Sequence, residues 1–315
     1  MFVGLTKNVI MKKNLFLVGF MACTMAMMGQ TQKKENWYFK AGGSYFTQTV
    51  ASEFPTVSGQ PANKDVYVGG KLVSRESVTG SFGEGFRFGG NVGYRFTDRL
   101  GVEMGVNYYK SNSKTMVETV DRIVAAGPTY VTGSAVGQIR AFDLAPALVL
   151  FLGEVKGFES YTKVGVIVPI HGDLTIETNR KYTNPLGATV TYAKDVVSPN
   201  PTMGFMAAIG TSYKLAKNLS AFGEIEYRNF TIHGKTKETK VYTENGVDKL
   251  NTATAFRSDA SYSASHVNYV DGLNTTSNST VTNAAGFDNT KATDDISSYV
   301  GISGLGLTLG LKYSL

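Results

Sequence analysis

This sequence predicts an all-β fold, an eight-stranded antiparallel transmembrane up-and-down β-barrel with long extracellular loops. Three observations carry the prediction. Eight segments alternate apolar with polar or small residues at a period of two, the pattern of a strand with two unlike faces. The connections between them alternate short and long, as in barrels that turn tightly on one side of a membrane and loop widely on the other. Beyond the first thirty residues, no apolar run approaches the ~20 residues that a spanning helix needs.

The 315 residues divide into 1–30, a signal peptide, and 31–315, one barrel domain. Met11 begins a complete signal by itself. Lys12 and Lys13 form its basic start, and residues 15–28 form an apolar run too short to cross a bilayer. Cleavage is expected near Gly29 or Gln30. Cys23, the single cysteine, leaves with the leader, which excludes a disulfide framework. Its surroundings, Phe20-Met21-Ala22-Cys23, are only weakly similar to a lipoprotein cleavage box. With 35 glycines, 17 tyrosines, 18 phenylalanines and 18% charged residues, the composition suits strands caught between a crowded interior and lipid. The net charge of +6 includes Lys7, Lys12 and Lys13 of the leader, so the remainder is too even to suggest a nucleic-acid partner.

The eight segments follow in order. Residues 37–48 set Trp37, Phe39, Ala41, Gly43 and Tyr45 against Lys40, Gly42 and Ser44. Residues 86–96 set Phe86, Phe88, Val92, Tyr94 and Phe96 against Arg87, Asn91 and Arg95, and 100–109 set Val102, Met104, Val106 and Tyr108 against Glu103 and Asn107. In 140–151, Phe142, Leu144, Pro146, Leu148 and Leu150 oppose Asp143, Ala145 and Ala147, although Pro146 removes a ladder donor. Residues 161–170 set Thr162, Val164, Val166 and Val168 against Lys163, Gly165 and Ile167. Residues 203–215 place Phe205, Ala207, Ile209 and Tyr213 on one face, and 219–230 set Leu219, Ala221, Ile225 and Tyr227 against Glu224, Glu226 and Arg228. The eighth, 305–315, reads LGLTLGLKYSL, with Leu or Tyr at every odd position.

Short connections are expected at Thr97-Asp98-Arg99, residues 152–157 and Ala216-Lys217-Asn218. Long ones are expected at 50–85, 110–139, 171–202 and 231–299. An even strand number leaves both termini periplasmic. Two aromatic belts follow from this layout. Trp37, Tyr94, Phe96, Phe151, Phe158, Tyr213 and Tyr313 lie near the periplasmic ends, and Tyr45, Phe86, Tyr108, Phe142, Tyr227 and Phe230 near the outer ends. The charged residues all take the opposite face, where Arg87, Arg95, Glu103, Lys163, Glu224, Glu226 and Arg228 can form an ion-pair network in the lumen. On the lipid face each Arg or Lys would cost about 2–4 kcal/mol at mid-depth.

The last strand resembles the C-terminal assembly signal of outer-membrane barrels, with Thr308, Gly310, Tyr313 and Leu315 in its polar, glycine and two hydrophobic places. Leu315 departs from the phenylalanine usual there. More broadly, residues 36–315 resemble the small eight-stranded outer-membrane β-barrel family that includes OmpA-like and OmpX-like barrels. The resemblance implies a bacterial outer-membrane location, insertion by the barrel assembly machinery, contact with outer-membrane lipid, and no cofactor or metal. Because the chain stops on its last strand, the peptidoglycan-binding domain of OmpA proteins is expected to be absent.

The expected function is a structural or surface-interaction role, with an extracellular protein or glycan partner bound through the loops. Stretches 115–132, 175–193 and 236–242 keep some alternation, so strands should project past the membrane, whereas 273–283 (LNTTSNSTVTN) is polar and of low complexity. The alternative is a narrow channel or a carrier for small solutes. A lipid-modifying enzyme would need a histidine at the membrane rim with a serine or acid beside it. His171, near Asp173, and His233 are placed there, with His266 deeper in the last loop, but no motif frames them and no enzyme is expected.

Overall fold

A computed structural model of the chain describes residues 36–125, 128–200 and 202–315. The expected signal peptide, with Met11 and Cys23, lies outside them. The fold is all-β, and the one α-helix among the described residues is the single turn Tyr262–Ser265. Eight of its strands carry the argument: β1 (Trp37–Gln48), β2 (Gly85–Arg95), β3 (Leu100–Ser111), β4 (Thr129–Val155), β5 (Phe158–Asn184), β6 (Gly204–Lys214), β7 (Leu219–Asn229) and β8 (Gly304–Ser314).

Each of these pairs antiparallel with the next, from β1–β2 round to β7–β8. β8 then pairs with β1 across eleven residues, from Tyr38↔Ser314 to Gln48↔Gly304, so the circuit returns to its start and leaves no edge. Short turns close one end. Lys156 and Gly157 (φ 53° and 84°) make a two-residue turn between β4 and β5. The strands therefore run through most of 152–157, which the sequence reading left as a connection. Leu215 and Ala216 both donate to the Leu219 carbonyl between β6 and β7.

The other end departs from the expectation of eight strands. One sheet holds seventeen, and a separate pair joins Ser52–Glu53 to Thr79–Gly80. β4 and β5 are each 27 residues long, which at ~3.3 Å per residue is about 90 Å of strand. Their far halves recruit Lys114–Ala125 and Gly187–Asn200 as further antiparallel neighbours. Thr231–Glu244 pairs with Gly187–Asn200, with His266–Val270 and with Tyr299–Gly301. The hairpin Asn63–Val68/Lys71–Ser77 attaches through a parallel pairing of its first strand to Lys114–Ala125. Segments read as wide loops form sheet because their own Thr, Val and Tyr alternation needs only one buried face, not a lipid band.

A β-bulge in β5 joins the two halves. Pro169 lies opposite Asp143 and His171 opposite Phe142, so Ile170 is an extra residue. Before it the buried residues are odd-numbered, Tyr161, Lys163 and Ile167; beyond it they are even, Leu174, Ile176 and Thr178. A one-residue insertion exchanges the two faces, and here it keeps the inner face inward as the chain passes from one half to the other. On its other side, β5 has no strand partner among the described residues between Ile167, opposite Gly204, and Leu174, opposite Val197.

Candidate functional site

The inner face of the ring is built from the residues alternate to its apolar ones. Lys40 and Lys163 face Glu103 and Glu224 in a closed square. Lys40 Nζ stands 2.6 Å from Glu103 and 3.0 Å from Glu224, and Lys163 Nζ 3.5 and 2.7 Å from the same two. Tyr38 Oη donates to Glu103 (3.1 Å) and Tyr161 Oη to Glu224 (2.8 Å). Lys40 Nζ also sits 4.1 Å over the Tyr161 ring.

Nearer the long-strand end, the Arg87 guanidinium donates to both oxygens of Glu226, from Nη1 at 2.5 Å and Nη2 at 2.8 Å, and its Nη2 also reaches Ser44 and Thr308. Arg228 pairs with Asp143 at 2.7 Å, while Asn107 donates to the other oxygen of Asp143 at 2.9 Å. Four cations thus meet four anions in a buried interior, where a lone charge would be expensive. The space left among them is about 20 Å³, room for a single water. Toward the short turns, Glu159 takes Arg95 at 2.5 Å and Lys312 at 2.9 Å, and the Arg95 guanidinium lies 4.0 Å over the Phe151 ring.

All seven predicted lumen residues therefore point inward, but Arg95 belongs to the second, separate cluster with Glu159. Lys40, Asp143, Glu159 and Lys312 complete the pairs and were not among those seven. Strand parity could have found them, since Lys40 opposes Trp37 and Lys312 opposes Tyr313. Thr308 and Gly310 face the interior, whereas Tyr313 and Leu315 are exposed. Outside, the ring is apolar: Phe88, Leu148, Phe205, Ile209, Leu307 and Leu309 are each at least half exposed. Such a continuous exposed apolar surface needs an apolar medium.

Aromatic residues edge this surface. Trp37, Tyr94 and Phe96 stack edge to face at one end, where Tyr213 packs on Phe158 and Tyr313 is exposed. Tyr45–Phe86 and Tyr108–Phe142 stack at the other end, where Tyr227 is also exposed. Phe151 and Phe230 do not belong to these belts. They are 1% and 6% exposed and turn inward, because Phe151 shares the parity of Asp143 and Phe230 that of Arg228.

Past the charges, the inward residues become apolar. Phe82, Tyr109, Met116, Ile139, Phe230 and Ile302 belong to one buried cluster that continues into the long-strand half. Outside the membrane the outer face of a sheet is solvated, so burial there requires an apolar inner face. The histidines lie in this half. His171 Nε2 is 3.9 Å from Asp173 with its ring largely exposed. His233 Nδ1 is 3.1 Å from Ser297 Oγ, and His266 stacks on Tyr262 at 3.8 Å. Among the described residues, no group of three or more His, Cys, Asp or Glu is placed to hold a metal.

The hairpin edge Lys71–Ser77 is largely exposed, and its described pairing is to Asn63–Val68 alone. Arg75 clamps Asp65 through Nε (2.7 Å) and Nη2 (2.8 Å). These hydrogen bonds hold the Asp65 carboxyl below the usual carboxylate range. A carboxyl depressed in the folded state contributes stability above its unfolded pKa of ~3.9, and that contribution fades as pH falls through the folded value. Corrected for the intrinsic rate, which itself falls with pH, amide exchange in 71–77 is therefore expected to lose protection below about pH 4. In Asp65→Asn it should be fast at neutral pH already; equal rates for both proteins at pH 7 would refute the clamp.

Comparison with a family model agrees with a barrel. Residues 19–263 match the model of the family described as outer membrane protein beta-barrel domain. Among solved structures, the outer membrane protein OprG from Pseudomonas aeruginosa is similar over 89% of this chain and 95% of its own, at 10% identity and a TM-score of 0.40. No curated protein matches. The closed circuit, its apolar exterior, its paired interior charges and the family match over residues 19–263 lead to one conclusion: the chain belongs to the outer membrane protein β-barrel domain family and is a protein of the bacterial outer membrane.

Proposed function

We propose that the ring β1–β8 is an eight-stranded, closed membrane anchor whose short turns and termini face the periplasm, and that it displays the long-strand sheet outside the cell for contact with a partner protein or glycan. The filled lumen carries this reading. Neutral pairing of the charges leaves about 20 Å³, and the buried cluster around Phe82 and Ile139 is apolar. Display is supported by strand length, since β4 and β5 each hold 27 residues where ~9–11 cross a bilayer. The one-sided edge Lys71–Ser77, beside exposed Val68, Leu72, Val73 and Ile123, is suited to strand addition by a partner.

On this reading residues 1–30 direct export, and Thr308, Gly310, Tyr313 and Leu315 are presented to the assembly machinery. The aromatic residues at both ends of the ring sit at the two interfaces, and no residue is assigned a catalytic role. The test has two arms. Purified protein in planar bilayers is expected to give no stepwise conductance. Cells displaying it should adhere to protein- or glycan-coated surfaces and lose that adhesion with Val73→Pro, which spoils the edge for pairing. Discrete channel steps, or adhesion indifferent to the edge, would overturn the proposal.

A further inference from the structure

The long-strand half encloses two adjoining cavities that the anchor role does not use. The larger, about 340 Å³, is walled by Leu174, Ile176, Val197, Ile232, Val300 and Tyr269. The smaller, about 150 Å³, is lined by Ile139, Ile170, Phe230 and Ile302 beside the stretch of β5 that lacks a strand partner. Pro199 and Ile232 belong to both walls. A hollow of this size that sets apolar walls beside polar groups such as Thr56, Ser58 and Ser298 has the form of a small-molecule site.

Besides Tyr269, three ionisable residues line the larger cavity: His233, Lys237 and Asp295. His233 is engaged with Ser297, and the Asp295 carboxylate accepts from the Ile296 amide at 2.8 Å. Lys237 is half-buried and makes no side-chain hydrogen bond or ion pair with the described residues. An anion placed in the cavity would give this ammonium a charge-assisted hydrogen bond. Asp295 in the same lining disfavours a doubly charged head.

We propose that this site binds a small amphiphile carrying one negative charge, with its apolar body in the joined cavities and a carboxylate head on Lys237. Apolar burial supplies the affinity and Lys237 selects the head. The site stands whether or not the displayed sheet also recruits a partner chain.

The experiment measures uptake of radiolabelled decanoate by the full chain in lipid nanodiscs, against empty discs, with decanol and decylamine of equal chain length as controls. Saturable binding of decanoate is expected, at one molecule per protein. Lys237→Gln should weaken it about tenfold or more, the loss of one hydrogen bond to a charged group, while decanol changes by less than about twofold. Lys237→Arg should keep decanoate bound. Ser298→Trp, at an exposed position of the cavity lining, should exclude all three ligands. Retained heat-modifiability on gels shows that each variant is folded. Decanoate uptake no greater than in empty discs, or unchanged in folded Lys237→Gln, would overturn the proposal.

Discussion

Replacing Glu226 with alanine is expected to lower the unfolding free energy by about 3–5 kcal/mol, because it strands a buried cation. Glu226 is fully buried and receives two hydrogen bonds from Arg87, itself 6% exposed. Arg228 Nε lies 3.8 Å from the same carboxylate, so a second guanidinium loses part of its field. Urea unfolding in lipid vesicles measures the loss. Removing both partners, as in Arg87→Met with Glu226→Leu, should recover most of it, since an apolar pair of similar volume carries no desolvation penalty. A loss below about 1 kcal/mol, the range of exposed ion pairs, would show that water screens the network and would weaken the case for a closed lumen.

Phe82→Ala should have an effect of similar size in the other half. Phe82 is fully buried, its ring 5.3 Å from that of Phe54. Its carbonyl accepts from Tyr109 Oη at 2.6 Å and its amide donates to Gly301 at 2.9 Å. The backbone bonds survive the substitution and the packing does not, so the expected cost is about 3–5 kcal/mol. If that half opens separately from the ring, proteolysis within 52–80 should accelerate by about a hundredfold or more. On the proposed reading of a lumen closed by its charge network, bilayer conductance should stay absent. Protease resistance equal to that of the parent protein would place Phe82 outside the cooperative core.

Strand parity was the legible part of this molecule. It placed Arg87, Glu103, Lys163, Glu224, Glu226 and Arg228 on the inner face together with Lys40 and Lys312, which the expected ion-pair network left out, and the same rule applied without exception would have kept Phe151 and Phe230 out of the belts. Which cation meets which anion was not legible, because pairing joins positions as distant as Lys40 and Glu224, 184 residues apart, and depends on register around the ring. The long-strand sheet was only half visible. The Asn245-Gly246 turn, with φ values of 48° and 81°, is a strong hairpin signal inside the expected loop 231–299. The Ile170 bulge was hidden because an extra residue leaves no compositional trace. It interrupts the period of two at the point where the environment of the outer face changes.

Closure of the ring also sets an order of events. Ser44 meets Thr308, 264 residues along the chain, so β1 stays without one of its two neighbours until the last strand has been made. Throughout that interval its apolar, alternating edge is open to pairing with other chains. Contacts of such long range form slowly and leave a growing chain exposed to aggregation. The hazard is greatest before the molecule is complete and ends when β8 docks.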